Sequence, residues 1–230
     1  MNQEQHAPLD NPAWHALQTI QRYYAQGTDT VQRYMSNILP FMAYNTEAFT
    51  GLEPLQPWIN PAGEDIFIIG RLPALPQGWA LDSELVCVQM VSARQPATPR
   101  HEEEVIRLTE EDREEMVDFV NEGQPGYFKE DTPSLGNYYG IRKEGKLIAL
   151  AGQRMKLPGY TEVSAVITHP DYRGKGYAQL LTTVVARDIY ANGDVPFLHV
   201  VSANASAIGI YKRAGFEIRR GISFWKIKAK

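Results

Sequence analysis

The sequence predicts an α/β (α+β) protein, and three observations carry that prediction. Residues 163–168, Val-Ser-Ala-Val-Ile-Thr, form a β-branched run ending at His169-Pro170. Arg173-Gly174-Lys175-Gly176-Tyr177-Ala178 follows, and then Leu180, Leu181, Val184, Val185 and Ile189 recur at helical spacing. The apolar run 196–201 comes next, so strand, helix and strand make one parallel crossover, expected to be right-handed. Upstream, residues 137–141 and 146–151 flank Arg142-Lys143-Glu144-Gly145 and read as a hairpin.

Composition narrows the function. With 230 residues, 43% of them hydrophobic and 22% charged, the chain reads as an ordinary globular protein with ample length for a core. A formal net charge of -4 argues against a nucleic-acid partner, which normally needs a basic face. The lone Cys87, inside Leu85-Val86-Cys87-Val88, excludes an intrachain disulfide and reads as a small buried apolar residue rather than a nucleophile. No apolar run approaches the roughly 20 residues that span a bilayer, so no membrane partner is expected. Met1 to His6 lacks a basic and an apolar signal region, so the expected localisation is cytoplasmic. The five histidines (6, 15, 101, 169 and 199) show no ligand spacing, and no catalytic metal is expected.

Taken in order, residues 1–95 read as a small α+β unit. Asn11-Pro12 reads as a helix cap and first helical position, with Leu17, Ile20 and Tyr24 as the apolar stripe. Residues 65–69 and 85–91 read as buried strands, separated by a loop from Arg71 to Trp79. The aromatics Trp14, Tyr23, Tyr24, Tyr34, Phe41 and Tyr44 read as this unit's core, or else as the wall of a pocket. The stretch 92–100, with Pro96 and Pro99, carries the boundary, and residues 96–103 are taken as the linker.

The second unit, 104–230, is more sharply patterned. Residues 104–108 read as a short strand, and Thr109-Glu110-Glu111-Asp112 as the cap of a helix bearing Met116, Phe119 and Val120. A Gly- and Pro-rich loop over 123–136 leads to the hairpin. After the crossover, Asn204 caps a last helix through Tyr211, which Gly215 closes.

The Gly-Lys-Gly turn has a chemistry of its own. Glycines let a backbone approach a ligand closely, and the first helical turn presents unpaired N–H groups at the positive end of the helix dipole. That arrangement binds phosphate oxygens. The Walker spacing fails, because Tyr177 follows Gly176 directly. The dinucleotide fingerprint also fails, because Gln179 stands where its third glycine belongs.

What fits is Arg-x-x-Gly-x-Ala at Arg173, Gly176 and Ala178. With Asn204 and the run Ile-Tyr-Lys-Arg-Ala-Gly-Phe at 210–216, it resembles the GCN5-related N-acetyltransferase (GNAT) superfamily over residues 104–227. The two-part layout and Gly152-Gln153-Arg154-Met155 look most like its FR47-like subgroup. The resemblance implies a mixed, mostly antiparallel sheet with a central parallel pair, and acetyl-CoA as cosubstrate. It implies that Arg173, Gly174, Lys175, Gly176, Tyr177 and Ala178 hold the pyrophosphate, and that Val166, Ile167 and Thr168 pair with the pantetheine arm. It further gives Asn204 a cofactor contact beside its capping role, and Tyr211 the task of serving the leaving thiolate.

An amine acceptor must lose a proton on the way to attack. Glu162 matches a position where some family members carry a glutamate base, and it also reads as a strand-end charge. Ser164 and His199 lie on the same two strands, and His199 reads more readily as a core histidine. A bridging water with no single base is a further option.

The chain departs from the family at its end. Many members close with a hairpin after Gly-Phe, whereas Phe216, Ile218, Ile222 and Phe224 favour one long strand interrupted near Arg220. The last strand is then missing, very short, or supplied by a partner chain, which would make a homodimer. The expected function is transfer of an acetyl group from acetyl-CoA to a primary amine; the alternative is a non-catalytic acyl-CoA-binding module.

Overall fold

The computed structural model describes residues 4–60, 63–99 and 102–229; Arg100 of the boundary stretch, His101 and the first three residues lie outside them. The first helix, α1 (Pro12–Gln18), buries Ala13, Ala16 and Leu17. It is shorter than its apolar spacing predicts, and Ile20, 49% exposed, falls beyond it. Past α1 the chain turns so that Gln21 reaches two distant partners, donating to the Arg154 carbonyl and accepting from the Tyr34 hydroxyl. Asn11 does not cap with its side chain; it donates instead to the Tyr44 carbonyl.

Four short strands follow: β1 (Ala25–Gly27), β2 (Val31–Tyr34), β3 (Phe41–Tyr44) and β4 (Ile66–Ile69). Then comes β5 (Trp79–Ser92), which begins where the sequence reading still had loop. After β6 (Ile106–Leu108), a reciprocal box between Thr109 and Asp112 opens a turn that runs into α2 (Arg113–Gly123). The hairpin of β7 (Tyr138–Lys143) and β8 (Lys146–Leu157) leads to β9 (Tyr160–Thr168), α3 (Tyr177–Ala191), β10 (Val195–Val201), α4 (Ala205–Arg213) and β11 (Phe216–Ala229).

All eleven strands form one sheet in the order β1-β2-β3-β4-β11-β5-β10-β9-β8-β7-β6. The pairs β9–β10 and β3–β4 are parallel and the others antiparallel. The crossover through α3 lies where the pattern of 163–201 puts it. The chain's end differs from the expectation of a partner-supplied strand. β11 is indeed one long strand, with a register shift between Ile218 and Arg220, but its neighbours are β4 and β5 of the same chain. Segments on both sides of the 96–103 stretch therefore share one sheet.

The core follows these layers. α3 packs Tyr177, Leu181, Val185 and Ile189 onto the sheet with Leu198 and Phe216. On another cluster, Leu17, Tyr34, Phe41, Met155 and Phe197 pack together across segments far apart in sequence. Burying one such aromatic stabilises by about 1.5–3 kcal/mol, so this shared core ties the first 95 residues to the site strands. Tyr34, Phe41 and Tyr44 are core, whereas Tyr23 is 79% exposed.

Candidate active site

The cleft arises where the two parallel strands part. β9 and β10 pair only from Tyr160–Glu162 against Val195–Phe197. Beyond that, β9 bulges: Ser164 pairs with Gly152 and Ile167 with Leu150, and Ala165 between them takes φ 53. A non-glycine residue there is uncommon and locally strained. The bulge leaves Ala165 and Val166 without a partner in the β8 ladder, beside the gap where an extended amide-bearing ligand would find open backbone groups.

One cavity, of about 810 Å³, runs from this gap to the helix start. Val166, Ile167, Thr168, Arg173, Gly174, Gly176, Tyr177, Ala178, Asn204 and Tyr211 line it, so nearly all the donor-side residues named from the sequence come together. Lys175 does not line it; its ammonium lies 5.1 Å from the centre of the Tyr172 ring. Gly174 and Gly176 have φ 79 and 83, conformations that cost a side-chain-bearing residue about 1–2 kcal/mol. Leu180 donates to the Gly176 carbonyl, so the amides of Gly176 and Ala178 have no acceptor within the helix. The Thr168 hydroxyl is buried without a hydrogen-bond partner among the described residues. A cradle of outward amides and an orphaned hydroxyl fits a phosphorylated, amide-bearing ligand such as coenzyme A.

Tyr211 stands where this cavity meets a second one of about 440 Å³; Gln124, Val166, Asn204 and Ala207 also border both. Burial alone pushes the Tyr211 phenol up to about 12, so it keeps its proton throughout the neutral range. Asn204 is an N-cap in fact, accepting from the Ala207 amide at 3.0 Å. The second cavity is walled by Leu85, Cys87, Tyr127, Arg154, His199 and Phe224, among others. Burial raises the Cys87 thiol to about 11, so it is a neutral wall group there.

Behind that cavity runs a polar chain across five adjacent strands. Arg154 on β8 grips Glu162 on β9 through Nε and Nη2, both at 2.7 Å. His199 Nδ1 on β10 lies 2.7 Å from the same carboxylate, and its Nε2 lies 3.0 Å from Gln89 Nε2 on β5. Gln89 Oε1 accepts from Arg219 on β11, and Arg219 pairs with Asp10. The donors and acceptors are mutually consistent only if His199 carries its proton on Nδ1, with the Gln89 amide donating to Nε2. Both ring nitrogens are then engaged.

Glu162 borders neither cavity and is 0% exposed. Burial by itself would raise its pKa, but the Arg154 charge and the bonds from Arg154 and His199 outweigh it and hold the carboxyl at about 2. A carboxylate so stabilised takes up a proton poorly at neutral pH. Its geometry is that of an anchor for Arg154 and His199. The sequence reading did not single out Arg154, Tyr127, Leu85 or Phe224 for this cavity. A partial signal existed: Gln89 and His199 each interrupt an otherwise apolar run, whereas Arg154 and Glu162 stand among other polar residues and carry no such mark. Among the described residues, no group of three or more histidine, cysteine or acidic side chains lies close enough to hold a metal, and no helix is long and apolar enough to cross a membrane.

Comparison with known proteins places this geometry. The FR47-like protein family model matches residues 138–225, the stretch that holds the bulge, the glycine turn and Tyr211. A solved structure from Novosphingobium aromaticivorans, described as an acetyltransferase of the GNAT family, shares 30% identity over 97% of this chain and 99% of its own, with a TM-score of 0.88. The chain belongs to the GNAT family. A GCN5-related N-acetyltransferase from Kribbella flavida superposes over 96% of this chain and 95% of its own, with a TM-score of 0.63 at 17% identity. A GCN5-related N-acetyltransferase-like protein from Streptococcus suis does so over 87% and 82%, at 0.55 and 12%. These two show the shared fold. No curated protein matches the sequence. The GNAT fold is that of acyl-CoA-dependent N-acyltransferases.

Proposed function

We propose that this protein transfers the acetyl group of acetyl-CoA directly to a primary amine. The observation that carries the reading is the meeting of two cavities at one protonated phenol, Tyr211. The larger cavity, about 810 Å³ and bordered by the glycine turn, has the volume and backbone donors for the cosubstrate; the smaller, about 440 Å³, offers room for an acceptor. Bound acetyl-CoA supplies an activated acyl group on a good leaving thiolate.

The chain's own residues do the rest. Gly174, Gly176 and Ala178 orient the pyrophosphate through backbone amides, and Arg173 adds charge at the rim. The backbone at Val166–Thr168 aligns the arm so that the carbonyl lies at the bulge. As the C–N bond forms and the C–S bond breaks, Tyr211 donates a hydrogen bond or its proton to the departing sulfur. The amine's proton leaves through water in the open cleft; Glu162, buried and ion-paired, holds the wall rather than acting as base.

Thiol release from acetyl-CoA, followed across a panel of amines, tests the reading. Acceleration by at least one amine, dependent on Tyr211, is the expected result. If acetyl-CoA raises the melting temperature yet no amine accelerates release, the protein is an acyl-CoA-binding module instead.

A further inference from the structure

The acceptor cavity has a charge character that the whole chain's net charge of -4 hides. Its wall contains one ionic side chain, Arg154, and no carboxylate. Glu162 lies behind the guanidinium and out of the wall. Of the five N–H donors of a guanidinium, Arg154 uses Nε and one hydrogen of Nη2 on Glu162. The remaining edge has no hydrogen-bond partner among the described residues, and Arg154 lines the cavity. Arg154 is also held still: its guanidinium carbon lies 4.9 Å from the centre of the Phe41 ring, and its side chain is 12% exposed. A fixed, planar fork with an unused edge matches the geometry of a carboxylate. Facing it, Leu85, Tyr127 and Phe224 supply apolar wall.

Building on the acetyl-transfer reading above, we infer that the acceptor is an amino carboxylate with an apolar side chain. Its carboxylate sits on the free edge of Arg154, its side chain lies against Tyr127 and Phe224, and its amine points to the Tyr211 end of the cavity. A polyamine would bring further cations toward a guanidinium with no acid in the wall to receive them.

The test compares matched acceptors on the intact protein: phenylalanine, phenylalaninamide, phenethylamine and spermidine, with thiol release as the readout. The amide's amine is less basic, hence more available as a nucleophile, so a lower rate with it must come from the lost carboxylate. Phenylalanine is expected to exceed both carboxylate-free analogues by about ten- to a hundredfold in kcat/KM, the range of one lost charge-assisted contact. In the double variant R154M/E162Q, which removes both charges together, that ratio should fall toward one. Equal or faster release with phenethylamine, phenylalaninamide or spermidine overturns the inference while leaving acetyl transfer standing. No release with any of the four overturns the inference; only the same silence across the wider amine panel, alongside a melting-temperature rise with acetyl-CoA, overturns acetyl transfer as well.

Discussion

The donor and acceptor halves of the cleft are built in different ways. More than half of the residues lining the larger cavity come from one continuous stretch, Val166 to Gln179, with the end of α2 and one face of α4 completing it. The residues lining the smaller cavity are scattered over β5, β8, β9, β10, β11, α4 with its cap and the loop after α2. A backbone cradle needs only the correct dihedral angles, which two glycines at φ 79 and 83 provide locally. A side-chain wall needs each group held by a neighbour, and here the chain Arg219–Gln89–His199–Glu162–Arg154 does the holding across five strands. Tolerance to change should differ accordingly: the donor half should lose function with the fold intact, whereas the acceptor half should lose stability first.

The largest expected effect lies in the acceptor half. Arg154→Met leaves the Glu162 carboxylate buried without its cation and should destabilise by about 3–5 kcal/mol, whereas R154M/E162Q should recover most of that loss. Urea unfolding of the two variants checks it; equal destabilisation would mean the pair does not act as a unit. Next, Tyr211→Phe should lower kcat about a hundredfold, within the range for a general acid, while the acetyl-CoA-induced rise in melting temperature persists. A loss of binding instead would move Tyr211 from the chemistry to the cradle.

The pH dependence of stability sharpens the same contrast. Glu162 has its folded pKa depressed from an ordinary 4.5 to about 2. Its contribution is therefore fully present above the unfolded value and is lost as pH falls from about 4.5 through about 2. Melting temperature followed over that window should fall more steeply for the wild type than for Glu162→Gln; parallel curves would contradict the assignment. In the donor half, Gly174→Ala places a Cβ that meets no protein atom within 4 Å, so its cost is the positive φ and the approach of the ligand. Acetyl-CoA affinity, measured by titration calorimetry, should weaken about tenfold for roughly 1–2 kcal/mol of backbone strain. The smallest effect belongs to Asn204→Ala, which removes the cap of α4 and should cost about 1 kcal/mol in thermal unfolding, with a modest change in kcat.

The contrast also explains what could be read from the chain in advance. The crossover, the hairpin and the glycine turn were legible because each rests on residues close in sequence, where spacing encodes geometry, and Tyr211 through the resemblance of the 210–216 run to the GNAT superfamily. Glu162 was visible as a residue but not in its role. An isolated glutamate at a strand start reads as base or as surface charge, and only the positions of Arg154 and His199 on the flanking strands make it an anchored carboxylate. His199 likewise stands in an apolar run that says nothing of Gln89, which sits directly across from it in the ladder.

By itself, then, the sequence determined the family, the strand–turn–helix cradle and the phenol at the end of it. The cradle depends on local dihedral preferences and on helical and strand periodicity, which neighbouring residues fix; the family and Tyr211 rest on the resemblance of the 173–178 and 210–216 motifs. Tertiary structure alone decided that β5 lies between β10 and β11, that Tyr34, Phe41 and Tyr44 are core while Tyr23 is exposed, and that Arg154 lines the cavity beside Tyr211. Strand pairing over a hundred or more residues, as between β5 and β11, is set by which apolar faces and buried charges can be satisfied together. That condition holds over the whole fold and is written in no single segment.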